Sequence, residues 1–266
     1  MRENTVKHRL QAGETVLGTW MNLSEPLAAG LLASHGWDWI LIDMEHGPIP
    51  FGDAGAMVTA VRAQDSVPIV RAAWNESSQI QRVLDLGAWG IMVPVVNTAD
   101  DARRVVRDAR FPPLGERSRG GVRANITWGT DPGTYSRRAN DEVLVLVQVE
   151  TELSVTNVAE ILGVDGIDGA FVGPNDLAFS GGKAWPDVWE KDDAYMRLID
   201  AVPPAAEAAG KFAGILARDA AQAVQMIAHG YRFVGVGGDA AFLNNGSRAA
   251  LDLSLIHISE PTRQAE

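Results

Sequence analysis

The sequence lacks cysteine entirely and contains no long apolar segment. Without cysteine the chain forms neither disulfide bonds nor thiolate metal sites, which agrees with a cytoplasmic location. No window approaches the roughly 18 uninterrupted apolar residues of a membrane-spanning helix. The first ten residues are charged and polar rather than signal-like. We therefore expect a cytoplasmic protein with no membrane partner.

Basic residues are scarce, and lysine is the scarcest of them. The formal net charge is -11 at pH 7, which argues against a nucleic-acid partner because such proteins present a basic face. Of the 23 basic residues, 19 are arginine and 4 are lysine. An arginine bias suits the recognition of carboxylate groups, although a GC-rich genome would produce the same bias.

Eight short apolar runs alternate with amphipathic segments along a chain that is 46% hydrophobic. Eight βα units in about 250 residues indicate a single-domain TIM (β/α)8 barrel, a fold of class α/β. The alternative, an open doubly wound sheet, predicts a glycine-rich turn after the first strand, and residues 20–24 contain no glycine. The predicted strands are 16–20, 37–43, 68–72, 90–96, 143–150, 169–173, 212–216 and 233–237. The predicted helices are 25–34, 53–63, 77–86, 98–110, 151–162, 194–209, 219–228 and 240–251.

Several local signals refine this outline. Ser77 and Asp219 are predicted helix caps, and Gly36, Gly87, Gly210 and Gly230 stand where helices end. Segments 111–140 and 180–195 are predicted as long loops, which in compact barrels form lids or subunit contacts. Residues 253–266 lack helical periodicity and look like the read-through of an expression vector. The predicted barrel therefore spans residues 1–252.

The second predicted strand ends in an unusual group of side chains. The run Trp39-Ile-Leu-Ile-Asp-Met-Glu-His-Gly-Pro48 delivers Asp43, Glu45 and His46 within four residues of a buried strand. Capping of the following loop would explain one such residue. Three together favour chemistry, because parallel α/β folds place their reacting groups at the carboxyl ends of strands.

Other strands end in a similar way. The third ends at Arg71, the fifth carries Gln148 and Glu150 on one side, and Asp176 follows the sixth. Two carboxylates without cysteine suit a hard divalent ion such as Mg²⁺, Mn²⁺ or Co²⁺. Carboxylates that are only salt-bridged to Arg71 remain the open alternative.

These groups suit the chemistry of a 2-oxo acid. Loss of the C3 proton creates an enolate, whose oxyanion a metal ion and the Arg71 guanidinium would both stabilise. His46, oriented by Asp43, can move the proton. A non-catalytic 2-oxo acid binding protein would not need this base beside an arginine, so we rank that alternative lower.

Five motifs in order carry a resemblance to a known family. They are Asp-Met-Glu-His-Gly-Pro, Val-Pro-Ile-Val-Arg, Leu-Asp-Leu-Gly-Ala, Gln-Val-Glu-Thr and Phe-Val-Gly-Pro-Asn-Asp-Leu. Over residues 18–245 the chain resembles the HpcH/HpaI family of class II pyruvate aldolases. The resemblance implies a TIM barrel that reversibly cleaves 4-hydroxy-2-oxo acids to an aldehyde and pyruvate, or a close 2-oxo acid such as hydroxypyruvate. It also implies a divalent metal ion and no organic cofactor.

The resemblance assigns roles to individual residues. It implies that His46 and Asp43 form an acid–base dyad, that Arg71 stabilises the enolate, and that Glu150 and Asp176 bind the metal. It further implies a homo-hexamer, a trimer of dimers with exchanged C-terminal helices. The remaining implied roles are hydrogen bonding of the oxo acid by Gln148, binding of its carboxylate by the backbone at Gly173, Pro174 and Asn175, support of Asp43 by Asp85, lining of the acceptor side by Leu216, and reach across a subunit boundary by Arg123.

Other enzyme classes are less well supported by the sequence. A Schiff-base aldolase needs a lysine within the barrel, but Lys211 precedes the seventh strand and Lys183 lies in a loop. A phosphate site at the glycine-rich segment 234–239 is only a weak signal. A metal-dependent lyase of acyl-CoA thioesters shares the barrel and the carboxylates, and it is the main alternative. The loop 117–123 and Asn175 depart from the common family pattern, which affects substrate choice.

Overall fold

A computed structural model describes residues 1–183 and 191–259. Its core is a closed barrel in which each parallel strand pairs with the next and β1 pairs with β8. The predicted TIM barrel is confirmed, and the predicted strand positions hold to within a few residues. The strands are β1 Val16–Met21, β2 Trp39–Asp43, β3 Val67–Arg71, β4 Gly90–Val93, β5 Leu144–Val149, β6 Gly169–Val172, β7 Phe212–Ala217 and β8 Phe233–Gly238.

Helices surround the barrel, as the alternation of the sequence predicts. Within the described residues they are α1 Thr5–Gln11, α2 Pro26–Ala33, α3 Phe51–Arg62, α4 Ser77–Asp85, α5 Ala99–Ala109, α6 Val122–Trp128, α7 Pro132–Glu142, α8 Glu152–Thr156, α9 Val158–Leu162, α10 Pro174–Ser180, α11 Asp193–Ala208, α12 Ala220–Ala228 and α13 Asp239–Ser259. None of these helices combines the length and the apolar character that crossing a bilayer requires.

Several predicted boundaries are wrong. The expected loop 111–140 contains α6 and most of α7, the second of which starts at the cap Asp131 followed by a proline. The expected helix 151–162 is interrupted at Asn157, which ends α8 and precedes α9. Of the expected loop 180–195, positions 184–190 lie outside the described residues.

The helix caps are partly as predicted. Asp219 accepts a hydrogen bond from the main-chain N–H of Gln222 at the start of α12, which confirms its capping role. Ser77 is instead the first residue of α4, and Glu76 occupies the cap position without a side-chain bond. The four predicted helix-end glycines all have positive φ, where glycine avoids the steric cost of a Cβ atom.

The last helix extends beyond its predicted end at residue 251. It continues to Ser259, so the segment from 253 onward is helical as far as the structure describes it. Every residue from 240 to 254 is exposed, which means that α13 projects from the barrel. The vector origin of residues 253–266 stays a prediction.

Aromatic rings fill the interior of the barrel. Trp39 and Phe233 stack with centroids 4.0 Å apart, and Trp20 packs on Phe171 at 5.3 Å. Gly18 is required for this packing, since a Cβ atom there would lie 2.0 Å from the ring of Trp39. The interior is therefore a packed core, and the polar side chains of the strands collect at its carboxyl end.

Candidate active site

Polar side chains from several strands meet at the carboxyl end of the barrel. Asp43 ends β2 and Arg71 ends β3, and the two residues are paired directly in the register of these strands. Gln148 lies in β5, Glu150 follows it, and Asp176 lies in the first turn of α10 after β6. The five residues that the sequence places at strand ends are thus positioned by the closure of the barrel.

Arg71 and Asp43 form a two-pronged ion pair. The Nε of Arg71 lies 2.9 Å from Oδ1 of Asp43, and its Nη2 lies 2.6 Å from Oδ2. Burial alone would raise the pKa of Asp43, but the hydrogen bonds and charge of Arg71 outweigh it and hold that pKa below its usual range. The pKa of Arg71 is raised, because its contacts with carboxylates outweigh its own burial. The guanidinium is therefore fixed in place and permanently charged.

Further donors surround the Asp43 carboxylate. The amide Nδ2 of Asn22 lies 2.8 Å from Oδ2, and the indole Nε1 of Trp20 lies 3.4 Å from the same atom. The main-chain N–H groups of Glu45 and His46 both donate to Oδ1. Among the described residues Asp43 is therefore bonded to the backbone of His46, and the acid–base role of the two side chains stays a prediction. The strand register directs this carboxylate to Arg71.

The imidazole of His46 lies beside Glu45. The His46 side chain is 61% exposed, and its Nε2 is 3.8 Å from Oε2 of Glu45. The same Glu45 oxygen is 2.9 Å from Nη1 of Arg71. Glu45, which the sequence places at this strand end without a role, therefore stands between the guanidinium and the imidazole.

Glu150 is anchored by two hydrogen bonds. Its Oε1 accepts from the main-chain N–H of Val95 at 2.7 Å, and its Oε2 accepts from Nε2 of Gln148 at 2.6 Å. Val95 has a φ of 56°, a strained conformation for a β-branched residue that points its N–H toward the carboxylate. Nη1 of Arg71 lies 3.4 Å from Oε1 of Gln148, which completes a polar row from Asp43 to Glu150.

Negative charge accumulates around Arg71. Burial raises the pKa of Glu150 from 4.5 to about 7, and the nearby charges of Glu45 and Asp176 add to the effect. The pKa of Glu45 also rises from 4.5 to about 7, chiefly through burial, with Asp43 and Asp176 raising it and Arg71 opposing the change. The Arg71 guanidinium therefore interacts with three carboxylates, those of Asp43, Glu45 and Glu150, and Asp176 adds negative charge near the last two.

The raised pKa values of Glu45 and Glu150 predict that the stability of the metal-free protein depends on pH. Below pH 4.5 the folded and unfolded chains both bind the protons of Glu45 and Glu150. Between pH 4.5 and about 7 the unfolded chain ionises while the folded chain keeps its protons, so stability is lost as the pH rises. We expect EDTA-treated protein to lose on the order of a few kcal/mol between pH 5 and 8, measured by urea unfolding. A flat profile, or one that rises with pH, would contradict this electrostatic description.

The site residues fit a hard divalent cation. Oε2 of Glu45 is buried without a hydrogen bond of regular geometry among the described residues. Gly173 keeps space open, because a Cβ atom there would lie 3.1 Å from Oε2 of Glu150. No three His, Asp or Glu side chains of the described segments are grouped as a complete ligand set. An ion that keeps several water ligands, as Mg²⁺ does, matches two carboxylates.

The backbone expected to bind a carboxylate lies next to these groups. Gly173 precedes α10 and Pro174 begins it, and the carbonyl of Pro174 accepts a hydrogen bond from the hydroxyl of Tyr195 at 2.8 Å. Asn175 is exposed and Asp176 is half-buried. The loop from β6 into α10 is therefore tied to α11 by the hydroxyl of Tyr195.

Three further candidate residues have the following positions, and two of them bind partners outside the polar row. Asp85 ends α4 and accepts a hydrogen bond from Nη2 of Arg117 at 2.9 Å, so the structure does not bring it to Asp43. Arg123 in α6 donates to the carbonyl of Gly55 in α3 at 2.6 Å. Leu216 is half-buried in β7. The Asp85 carboxylate is therefore paired with Arg117 in this chain, and its expected support of Asp43 stays a prediction.

Sequence reasoning missed several residues of the site. Asn22 directly follows β1, and a polar residue at that strand end could have been recognised as Asp43 was. Trp20 reads as an ordinary core residue in the sequence. Val95 gives no sequence signal, because its role depends on backbone conformation alone.

The fold and site together define a TIM-barrel enzyme with an arginine–carboxylate centre at the carboxyl ends of its strands. A family model described as HpcH/HpaI aldolase/citrate lyase matches residues 16–245. The chain belongs to this family. The expected family and the expected reaction class, an aldolase-type carbon–carbon lyase, are thereby confirmed.

Individual relatives agree with this assignment. A 4-hydroxy-2-oxo-heptane-1,7-dioate aldolase from Salmonella dublin is 39% identical over 253 residues, 93% of each chain. The structure of an HpcH/HpaI aldolase/citrate lyase family protein from Burkholderia cenocepacia is 36% identical, with a TM-score of 0.87 over 94% of this chain and 99% of that one. A citrate lyase beta subunit from Mycobacterium tuberculosis, complexed with oxaloacetate and magnesium, is 17% identical with a TM-score of 0.57 over 86% and 93%. This last likeness shows a shared fold alone.

Proposed function

We propose that the protein is a divalent-metal-dependent aldolase of 4-hydroxy-2-oxo acids. It reversibly releases an aldehyde and pyruvate, or a close 2-oxo acid such as hydroxypyruvate. The observation that carries this proposal is the buried polar row of Asp43, Arg71, Gln148 and Glu150 at the barrel mouth. The relative named 4-hydroxy-2-oxo-heptane-1,7-dioate aldolase, which is 39% identical, supports the same class of substrate.

Arg71 is placed to stabilise the enolate oxygen. Two of its nitrogens are fixed on Asp43, while Nη1 points toward Gln148 and Glu45. A donor that is already oriented needs no reorganisation when the oxyanion forms, which is the basis of its catalytic value. Gln148, held by Glu150, is placed beside it to orient the bound oxo acid.

Glu150 and Asp176 are the proposed ligands of the metal ion. Both are carboxylates in a region with surplus negative charge. Burial is the main cause of the raised pKa of Glu150, the charges of Glu45 and Asp176 add to it, and a divalent cation would offset those charges. When bound, Mg²⁺, Mn²⁺ or Co²⁺ supplies a Lewis acid for the oxygens of a 2-oxo acid. The choice among these ions, and the absence of an organic cofactor, stay predictions.

His46 is the proposed acid–base residue. Its ring is exposed at the mouth of the barrel, where a substrate can reach it, and an imidazole can both accept and donate a proton. The hydrogen bond from the main-chain N–H of His46 to Oδ1 of Asp43 fixes the backbone position from which the ring extends. In cleavage it would accept a proton from the 4-hydroxyl group, and it would return one to C3 of the enolate.

A homo-oligomer, with the hexamer as the specific expectation, is proposed as the working assembly. The helix α13 is exposed from residue 240 to 254 and carries apolar side chains, including Leu243 and Leu251. Leu27 and Leu31 of α2 are also exposed. Apolar surface of this extent supports subunit contacts through an exchanged C-terminal helix. Arg123 is retained as a candidate for contacts to a neighbour, and the cytoplasmic location stays a prediction.

The rival enzyme classes find less support. Nζ of Lys211 donates to the carbonyls of Leu162 and Val164 at the opposite end of the barrel, which disfavours a Schiff-base mechanism. The main-chain N–H groups of Asn22 and Leu23 donate to the carboxylate of Asp239, which ends the glycine-rich segment considered for phosphate. A carboxylate in this position disfavours the binding of an anion there. A lyase of acyl-CoA thioesters would use the same carboxylates, so only a substrate test separates it from the aldolase.

The proposal predicts cleavage of 4-hydroxy-2-oxo acids in a coupled assay for pyruvate. We expect release of pyruvate from 4-hydroxy-2-oxo-heptane-1,7-dioate or a shorter analogue, loss of activity with EDTA, and recovery with Mg²⁺, Mn²⁺ or Co²⁺. Assays with acyl-CoA thioesters provide the comparison. Cleavage of thioesters with no release of pyruvate from any hydroxy-oxo acid would favour the alternative lyase.

A further inference from the structure

The turn that follows β4 holds one residue in a left-handed backbone conformation. Val95 has a φ of 56°, and among the non-glycine residues that the structure describes it shares a positive φ with Asp65 alone. A β-branched residue is an outlier in this region, because its Cβ atom crowds the neighbouring carbonyl oxygen. Such a conformation persists only where the surrounding structure enforces it, and it occurs mainly at functional sites. Val95 therefore needs both a contact that enforces its conformation and a reason for it.

The direction of the Val95 N–H group supplies the reason. This N–H donates to Oε1 of Glu150 at 2.7 Å, and Gln148 donates to the other oxygen, Oε2, at 2.6 Å. The two bonds together fix the rotation of the Glu150 carboxylate, so a metal ion would meet a ligand that is already oriented. Rotation about φ turns the peptide plane that carries this N–H relative to the residues that follow it. The bond to Glu150 therefore depends on the strained conformation.

Asn97, two residues further along the turn, supplies the contacts that enforce this conformation. Its Oδ1 accepts a hydrogen bond from the hydroxyl of Thr151 at 2.5 Å, and its carbonyl accepts one from Nδ2 of Asn157 at 2.8 Å. Its main-chain N–H donates to Oδ2 of Asp101, in the first turn of α5, at 3.0 Å. Asn97 is thus held through its side chain and through both of its main-chain groups. Because Thr151 directly follows Glu150, these bonds tie the turn to the segment that carries the carboxylate.

We propose that the turn 94–97 positions Glu150 for metal binding: Asn97 holds Val95 in its left-handed conformation, and the N–H of Val95 then orients the carboxylate. The inference rests on the proposed metal-dependent function, since it assigns two further residues to the same centre. Val95 and Asn97 are positioning residues, because they act through Glu150 and contact neither the substrate nor the metal ion.

The presence of valine makes the direction of this N–H depend on Asn97. A glycine adopts positive φ without steric cost, so it would keep the conformation of the turn unaided. Valine keeps this conformation only while the hydrogen bonds of Asn97 outweigh the strain. Loss of the Asn97 side chain should therefore let Val95 relax to negative φ, which turns its N–H away from Glu150.

A purely structural role for Asn97 is the alternative. Thr151 caps the start of α8 and Asn157 caps its end, so the bonds of Asn97 would then serve only to join two loops. Under this alternative, loss of the Asn97 side chain lowers stability, and relief of the strain at Val95 does not restore metal binding. The two roles therefore differ in how substitutions at positions 95 and 97 combine.

The test measures the affinity of metal-stripped protein for Mn²⁺ by electron paramagnetic resonance. Asn97→Ala should raise the Kd of Mn²⁺ by about 10- to 100-fold, which is the typical cost of removing a residue that orients a metal ligand. Val95→Gly combined with Asn97→Ala should bring the Kd back to within about 3-fold of wild type, because glycine keeps the turn without the contacts of Asn97. Proton exchange at C3 of pyruvate, measured at limiting Mn²⁺, should follow the same order.

Two further variants accompany the test. Asp100→Ala changes an exposed side chain in the first turn of α5 that pairs with Arg103 on the surface, and it should change the Kd of Mn²⁺ by less than about 3-fold. Val95→Gly alone should raise the urea midpoint of the metal-free protein, because it removes the strain while it keeps the N–H group. This measurement of stability tests the strain independently of metal binding.

Each other outcome overturns the inference. Wild-type Mn²⁺ affinity in Asn97→Ala would show that Glu150 needs no such support, and the aldolase proposal would stand without it. A loss of affinity that Val95→Gly does not restore would leave Asn97 with a structural role only. Absence of Mn²⁺ binding by the wild-type protein would instead remove the proposed metal-dependent function and this inference together. If Asn97→Ala does not fold, Asn157→Ala removes the bond to the Asn97 carbonyl instead, and the same loss and recovery are expected.

Discussion

Replacement of Arg71 by alanine is expected to lower the rate of C3 proton exchange of pyruvate by roughly 10²- to 10³-fold. Loss of one preorganised oxyanion donor costs about that much in enzymes of known mechanism. The effect is expected at the upper end, because the change also leaves the fully buried carboxylate of Asp43 without its ionic partner. Pyruvate exchange by NMR and urea unfolding measure the two consequences separately.

Arg71→Lys and Arg103→Ala are the matched comparisons. Lysine keeps the charge of Arg71 but cannot reproduce the two-pronged contact with Asp43, so activity should be restored only in part. Arg103 is exposed and paired with Asp100 on the surface of α5, so its removal should leave exchange unchanged. Wild-type exchange rates in Arg71→Ala would contradict its assignment to the enolate.

Replacement of Glu150 by glutamine should remove most of the affinity for divalent ions. Glutamine retains an acceptor for the N–H of Val95, but its amide would face the Nε2 of Gln148 as a second donor, and its charge is absent. With one of two proposed ligands lost, we expect the Kd of Mn²⁺ to rise by roughly 100-fold or more and exchange to fall to background. The metal-free variant should also lose less stability between pH 5 and 8 than the wild-type chain, because one of the two ionising groups is gone.

Glu152→Gln is the control for this change. Glu152 is exposed two residues further along the same segment, at the start of α8. The Glu152→Gln variant should bind Mn²⁺ with the affinity of the wild-type protein. Unchanged Mn²⁺ affinity in Glu150→Gln would restrict Glu150 to a structural salt-bridge role, the alternative that the sequence leaves open.

The sequence predicts the barrel well because its strands are buried on both faces. The runs 39–42 and 144–147 are continuously apolar, and the polar residues Asp43 and Gln148 that follow them mark the carboxyl side of the sheet. Parallel closure then brings Arg71 next to Asp43 and places Gln148 and Glu150 nearby. This part of the site follows from the topology of the barrel, so the sequence motifs and the fold predict the same neighbouring residues.

The partners of individual side chains do not follow from topology. Asp43 and His46 are three residues apart, and the sequence suggests that their side chains meet, whereas the register of β2 and β3 turns Asp43 toward Arg71. Glu45 receives its position from an ion pair across two strands, which no local pattern encodes. The helices α6 and α7 were missed because a glycine- and arginine-rich composition outweighed the cap signal of Asp131.

The most direct test of the central claim is proton exchange at C3 of pyruvate in D₂O, followed by NMR. This measurement requires no knowledge of the aldehyde acceptor. EDTA-stripped protein should show no exchange, and Mg²⁺, Mn²⁺ or Co²⁺ should restore it in a reaction that Arg71→Ala and His46→Ala lose. Exchange that persists at full rate after chelation would contradict the metal-dependent enolate mechanism.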